Sequence, residues 1–551
     1  MDSYAIGVDF GTLSARAVLI HGGTGAVLAE CTHAYAHGVM EEALPCGVKL
    51  EKDWALQDPT DYIEAFVAAV SSVVRESGVP PEQIVGIGVD FTACTILPVK
   101  RDGTPLCLLP EFEKNPHAYV KLWKHHSAQY CADRLNQVAK ERKEPWLDWY
   151  GGKVSCEWLV PKVMQILQEA PEIYEQADKI IEAGDWLIWQ LCGEEKRSAC
   201  NAGYKALWNA ETGYPEEAFF AALDERLRHF TRDKLSPDIY PLGGRAGYLT
   251  PAMAEKTGLA SDTAVGIGII DAHASVPGTG VDAPGKMLMI MGTSTCHMIL
   301  GKDKKPVPGI CGVVKDGVLP GYYAYEAGQS CVGDHFSWLV NHFVPGEYFE
   351  QAAEQGMNIH EYLRRKASSQ QPGENGLVAL DWWNGVRSPL MDFDLTGLMV
   401  GMKLSTRAED VYRALIEATA YGTRKIIEGF EQEGIPVEEL YAAGGIAAKD
   451  PMTMQIYADV CNREIRIAAS AQSGALGSAV LGLVAAGPRR SGYSDVSQAV
   501  SAIGKISAVS YKPVEAHVKA YNKLYGIYCR LYELFGVEER HIMNELKEIR
   551  N

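Results

Sequence analysis

The chain contains no C-x-x-C pair, no H-E-x-x-H, no G-x-x-x-x-G-K-[ST] and no apolar run approaching ~18 residues. Each absence removes a class. Without ligand-spaced cysteines or histidines a structural zinc site is not expected, and His125-His126 is an isolated pair. The thirteen cysteines are odd in number and scattered, the pattern of reduced, mostly buried thiols in a cytoplasm. The Gly-Lys pairs are followed by Val, Met, Asp or Ile, so a P-loop is disfavoured. No transmembrane helix is expected. The opening MDSYAIGVDFG lacks the cationic and apolar regions of a secretory leader. Basic residues are also short: 52 Lys and Arg against 70 Asp and Glu give a net charge of −18. That balance opposes a nucleic-acid-binding face. It leaves room for a local phosphate site made of backbone N–H groups.

With 47% hydrophobic and 22% charged residues, the 551-residue chain is of ordinary globular composition. Strands and helices alternate, which indicates α/β. Residues 4–8 and 16–21 read as strands joined by Asp9-Phe10-Gly11-Thr12, and 27–36 as a third. Asp58-Pro59 opens a helix that Gly78 and Pro80-Pro81 stop, and 84–89 is a strand ending in Asp90. The order returns later. Strands 286–291 and 296–300 flank Gly292-Thr293-Ser294-Thr295. A helix spans roughly 407–433, with Thr406 and Glu409 as its capping box, and strand 440–443 leads into Gly444-Gly445. Two units of one plan imply a duplicated fold, divided near the Gly/Pro-rich stretch 278–285 into domains 1–282 and 283–551. Residues ~100–250 read as a mostly helical insertion, and the Tyr-rich helix near the end as packing.

Several turns carry chemistry-capable residues. Gly11 permits close backbone approach, Thr12 and Ser14 add hydroxyls, and Asp9 suits Mg²⁺. Gly292 and Thr293 repeat that chemistry in the second unit. Each turn alone also reads as an ordinary hairpin; two of them can straddle one polyphosphate. Gly444-Gly445 lets the chain lie flat against a ring or phosphate, and the small residues of 473–479 suggest close packing beside it. Strand 266–270 ends in Asp271, which is either a helix cap or a general base for phosphoryl transfer.

Together these elements resemble the FGGY carbohydrate kinases. The resemblance covers essentially the whole chain. It rests on the D-F-G-T turn, Gly268-x-x-Asp271-x-x-Ala274, Gly292-Thr293-Ser294, Asn384-Gly385-x-Arg387-x-Pro389, Gly444-Gly445 and Met454-Gln455-x-x-Ala458-Asp459. The phrases at 88–95, 122–126, 202–206, 320–333 and 380–385 are similar to those of members acting on L-ribulose. The resemblance implies two ribonuclease H-like (actin/hexokinase-type ATPase) α/β domains with a cleft between them. It implies ATP and Mg²⁺, and phosphorylation of L-ribulose at its 5-hydroxyl in L-arabinose breakdown. Asp271 would be the base. Gly11, Thr12, Ser14, Gly292, Thr293, Gly444, Gly445 and Lys449 would line the nucleotide. Ala93, Lys205, Glu326 and Asp271 would hold the sugar. A sibling kinase for another ketopentose or polyol and, remotely, an actin-like ATPase switch are the alternatives; a homodimer is one expectation for assembly.

Overall fold

A computed structural model describes residues 2–470 and 472–550. Strands β1 (Tyr4–Phe10) and β2 (Ser14–His21) form a hairpin, and β3 (Val27–Ala34) pairs with β2. Helix α1 (Pro59–Ser77) follows. The Asp58 side chain accepts the Thr60 N–H, Pro59 sits in its first turn, and left-handed Gly78 ends it. Strand β4 (Ile84–Phe91) is buried at every residue, as a parallel strand covered on both faces should be.

The insertion then leaves the sheet. It is built on a small four-stranded sheet (56–57, 120–121, 96–99 and 179–182), which the helical expectation missed. Its helix α2 (Ala199–Lys205) is capped by Ser198, whose Oγ accepts the Cys200 N–H. The chain returns through β5 (Arg245–Tyr248), β6 (Ala264–Gly266) and the short β7 (Ile269–Ile270). The single strand expected to end in Asp271 is therefore broken after Gly266, and Asp271 is the first residue of α3 (Asp271–Gly278). The order is β5-β6-β4-β1-β2-β3, with β7 beside β4. Strands β1, β6 and β7 run parallel to β4, so their carboxyl ends share one edge.

The second sheet repeats the plan. Strands β8 (Lys286–Met291), β9 (Thr295–Gly301), β10 (Gly312–Lys315) and β11 (Tyr323–Gln329) form its antiparallel part. Helices α4 (Gly333–Phe343) and α5 (Ala408–Gln432) come next. Strand β12 (Glu439–Ala443) then pairs in parallel with β8, as β4 does with β1. After α6 (Gly445–Lys449), β13 (Ile465–Ala468) lies beside β12. The expected capping box is displaced by one residue: Asp410 Oδ2 accepts the Arg407 N–H at 2.8 Å, while Thr406 Oγ1 accepts from Lys403. These are the two ribonuclease H-like α/β units that the sequence implied.

The strands divide near residue 282, but the cores do not. Helices α7 (Ser473–Ala486) and α8 (Val496–Ile503) belong to the core of the first sheet. A Cβ on Gly7 would lie 1.7 Å from the Ala475 carbonyl oxygen, and one on Gly88 1.7 Å from that of Ser478. Glycine there lets α7 lie directly on the backbones of β1 and β4. Its small residues serve this crossing rather than packing beside Gly444-Gly445. An edge strand, β14 (Ile506–Tyr511), pairs with β13. Helix α9 (Glu515–Glu533) then buries Tyr521, Tyr525, Tyr528 and Tyr532 in the second core, and α10 (His541–Arg550) follows. No helix among the described residues is long and apolar enough to cross a membrane.

Candidate active site

Three carboxylates meet where the parallel strands of the first sheet end. Asp9 of β1 pairs in register with Asp90 of β4, and Ile270 pairs with Phe91, which places Asp271 one residue further on. Such carboxyl-end edges are where open α/β sheets bind ligands. Asp90 is fully buried. Ser478 of α7 donates its hydroxyl to Oδ2 at 2.6 Å, while Oδ1 has no partner. Burial, and then the neighbouring Asp9, raise the Asp90 carboxyl well above its ordinary range. The Ala272 N–H donates to Asp271 Oδ1 at 2.7 Å. Burial and Asp9 nevertheless push the Asp271 pKa up to about 7. The nearest counter-charge to Asp9 is Arg16, at 3.7 Å. Asp9, with only a loose cation beside it, and the unpartnered Asp90 Oδ1 are acceptor oxygens of the type a hard divalent ion takes.

Beside Asp271 opens a cleft of about 900 Å³, its mouth included, lined by Ala93, Lys205, Asp271 and Glu326. The sequence reading named all four. Three separate elements bring them together. Helix α2 packs on β10 and β11: the Tyr204 hydroxyl donates to the Ala324 carbonyl at 2.6 Å, and the absent Cβ of Gly203 makes room for Val314. This sets Lys205 Nζ 2.9 Å from Glu326 Oε2. Along β11, Tyr325 and Ala327 face the second core, so Glu326 points to the other face of the sheet. Burial opposes both charges. Their attraction outweighs it, holding the Lys205 ammonium above its ordinary value and Glu326, also aided by His273, well below. His273 Nε2 lies 3.3 Å from the same Glu326 oxygen. The Ala93-Cys94 wall is pinned from behind by buried Lys162, which donates to the carbonyls of Cys94 and Leu122 at 2.5 and 2.7 Å. His273, Cys296 and Glu326 bring metal-competent atoms within 4.8 Å of one another. With Lys205 already on Glu326, the group is a pocket wall and not a metal centre.

Two hairpin tips flank the cleft. Gly11 donates its N–H to the Ser14 carbonyl at 3.0 Å. Gln57 holds the Thr12 carbonyl at 2.8 Å, and Trp123, itself a cleft residue, donates to Thr12 Oγ1 at 3.1 Å. Opposite, Gly292 donates to the Ser294 carbonyl at 2.9 Å, and Ser294 lines the cleft. Thr293 is exposed, with its carbonyl fixed by the Val332 N–H at 2.7 Å. Because β12 lies beside β8, Gly444-Gly445 falls next to this tip. Gly444 has φ 94°, and a Cβ there would meet the Met291 carbonyl oxygen at 2.4 Å; the space around Gly445 is open. Ser14 opens β2 with a half-exposed side chain, and Lys449 is exposed at the far end of α6, away from the cleft lining. Sequence reasoning gave no role to Asp90, Glu157, His273 or Arg387. Asp90 had a visible signal as a strand-end acid, and Arg387 as part of a quoted motif. Glu157 and His273 had none.

A duplicated α/β fold with hairpin turns from both halves beside one polar cleft is the arrangement expected of a carbohydrate kinase of the kind the sequence resembles. Residues 4–278 match the FGGY family of carbohydrate kinases, N-terminal domain, and residues 287–486 its C-terminal domain. The chain belongs to that family. It is 56% identical over 540 residues to a ribulokinase of Bacillus licheniformis, covering 98% of each chain. It is 52% identical over 545 residues to one of Geobacillus thermodenitrificans, covering 99% of this chain and 96% of that one. Among solved structures, a xylulose kinase from Rhodospirillum rubrum shares the fold at a TM-score of 0.78 and 21% identity, over 97% of this chain and 99% of that one. A gluconate kinase from Lactobacillus acidophilus does so at 0.80 and 18%, over 98% and 99%.

Proposed function

We propose that this carbohydrate kinase transfers the γ-phosphoryl group of ATP to the 5-hydroxyl of L-ribulose, with Asp271 as general base. The carrying observation is the convergence of Ala93, Lys205, Glu326 and Asp271 on one cleft, in a chain 56% identical to a ribulokinase. Asp271, with a pKa near 7, takes the hydroxyl proton while the oxygen attacks the phosphorus in line. Lys205 donates to sugar oxygens and Glu326 accepts from sugar hydroxyls. The Gly11–Thr12 and Gly292–Thr293 tips, with Ser14, offer N–H and hydroxyl groups to the phosphates. Gly444-Gly445 carries the nucleoside, and exposed Lys449 is at most peripheral to it. Mg²⁺ would be held by Asp9, through water, and would neutralise phosphate charge. Free thiols at all thirteen cysteines suit a reducing cytoplasm. The test is ADP release with MgATP. L-ribulose should stimulate it with higher kcat/KM than D-ribulose, D-xylulose or ribitol. Preference for another sugar would replace the substrate assignment.

A further inference from the structure

The cleft holds one cation to which the reaction above gives no task. Arg387 lines it together with Lys205, Glu326 and Glu157. It stands on a tight reversal closed by reciprocal Val386 and Asp392 backbone hydrogen bonds of 2.7 and 2.8 Å. Met391, at φ 49°, donates its N–H to the Arg387 carbonyl at 2.8 Å. The side chain lies in a slot cut for it. Gly328 sits opposite Cys296 and two residues from Glu326, on the face of β11 turned to the cleft. A Cβ on Gly328 would meet Arg387 Cδ at 2.9 Å and Nη1 at 3.3 Å. Burial opposes the charge of Arg387, but Glu157 and Glu326 keep it a cation. Other charges around it already have partners at hydrogen-bond distance: Lys205 has Glu326 at 2.9 Å, and Glu157 has His126 at 3.1 Å. Among the described residues the Arg387 guanidinium makes no hydrogen bond or ion pair, although it offers five N–H donors.

The chemistry of the substrate supplies the missing acceptor. A 2-ketopentose closes its furanose ring through O5, so a sugar phosphorylated at O5 must enter open-chain, with its C2 carbonyl free. A carbonyl oxygen only accepts, whereas a hydroxyl both donates and accepts. A donor-only guanidinium satisfies the first completely and leaves the hydrogen of the second without an acceptor; the Lys205–Glu326 pair, donor beside acceptor, satisfies the second. We propose that Arg387 is the specificity-determining residue that receives the C2 carbonyl oxygen of the ketose and so separates ketoses from the corresponding polyols. This rests on the kinase reading and adds to it the end of the sugar that is read and the group that reads it.

The test compares L-ribulose with ribitol, its C2-alcohol counterpart, in wild type and Arg387→Met, which keeps the stem and removes the donors. Ribitol is followed as substrate or, where it is not turned over, as competitive inhibitor. A hydrogen bond from a charged donor corresponds to about 10- to 100-fold. Arg387→Met should lower kcat/KM for L-ribulose by about that factor, chiefly through KM, with the KM for MgATP unchanged. Ribitol should lose no more than about threefold by the same principle. Equal losses for both would overturn the inference and leave Arg387 as a counter-charge for Glu157 and Glu326. Wild type that phosphorylates neither sugar while still turning over another would overturn the substrate reading, a different failure seen before any variant is made. If Arg387→Met melts early, Gly328→Ala closes the slot with the guanidinium intact. A ketose-selective loss there supports the inference, and an unselective one contradicts it.

Discussion

At the scale of single residues, the account turns on Asp271. As a base it must be ionised, so with a pKa near 7 kcat/KM for the sugar should rise with pH through about 7 and then level. A profile flat between pH 5.5 and 8 would remove Asp271 from that role. Asp271→Asn should keep the fold and sugar binding and lose about 10²- to 10⁴-fold in kcat. The same raised pKa affects stability. The folded protein holds a proton that the unfolded chain has released, so this group's contribution is full below about pH 4 and is lost as pH rises through about 7. At pH 8 the Asn variant should therefore melt no lower than wild type. Lys205 and Glu326 behave oppositely, because each stabilises the other's charge. Lys205→Met, which strands a buried carboxylate, should cost about 3–5 kcal/mol in denaturant titrations. Adding Glu326→Gln should recover part of that loss; purely additive losses would show that the pair is not coupled. That Asp271, Lys205 and Glu326 would share a cleft was legible because each is a polar residue in a recognisable phrase. The coupling of Asp90 to Asp9 was not, since it exists only through register between two strands 80 residues apart in sequence.

At the scale of elements, both hairpin tips and the strand preceding Gly444-Gly445 stood where local patterns put them, since turn chemistry and short apolar runs are local properties. Helix α7 shows the limit of such reading. Its run of Gly, Ala and Ser announced close packing, but nothing local told which backbone it would approach. The answer lies in Gly7 and Gly88, each well over 300 residues away in sequence from the helix residue it meets. Gly88→Ala should consequently destabilise the protein by about 3 kcal/mol or more, because its Cβ must displace helix backbone and not a flexible side chain. A change under about 0.5 kcal/mol in chemical denaturation, the range of ordinary surface substitutions, would mean that α7 does not sit against β4. The displaced cap of α5 is a smaller case of the same kind: Thr406 and Asp410 both flank the helix start, and only the backbone path decides which one caps.

At the scale of the whole molecule, the cleft is made by both halves. The first contributes Ala93, Lys205 and Asp271; the second contributes Ser294, Glu326 and Arg387. The duplicated order of hairpin, helix and strand made that architecture readable from sequence. The return of α7 and α8 to the first core was not readable, because it depends on where the chain crosses back and not on any segment's own pattern. In the proposed reaction, a site shared between halves would tie phosphoryl transfer to the presence of the sugar, with the acceptor hydroxyl, and not water, at Asp271. The most direct measurement is the rate of ADP release from MgATP with and without L-ribulose, D-ribulose, D-xylulose, L-xylulose, ribitol and glycerol. The account expects little release without sugar and the highest kcat/KM with L-ribulose. ADP release unchanged by any of these sugars, from protein shown to be folded, would contradict it.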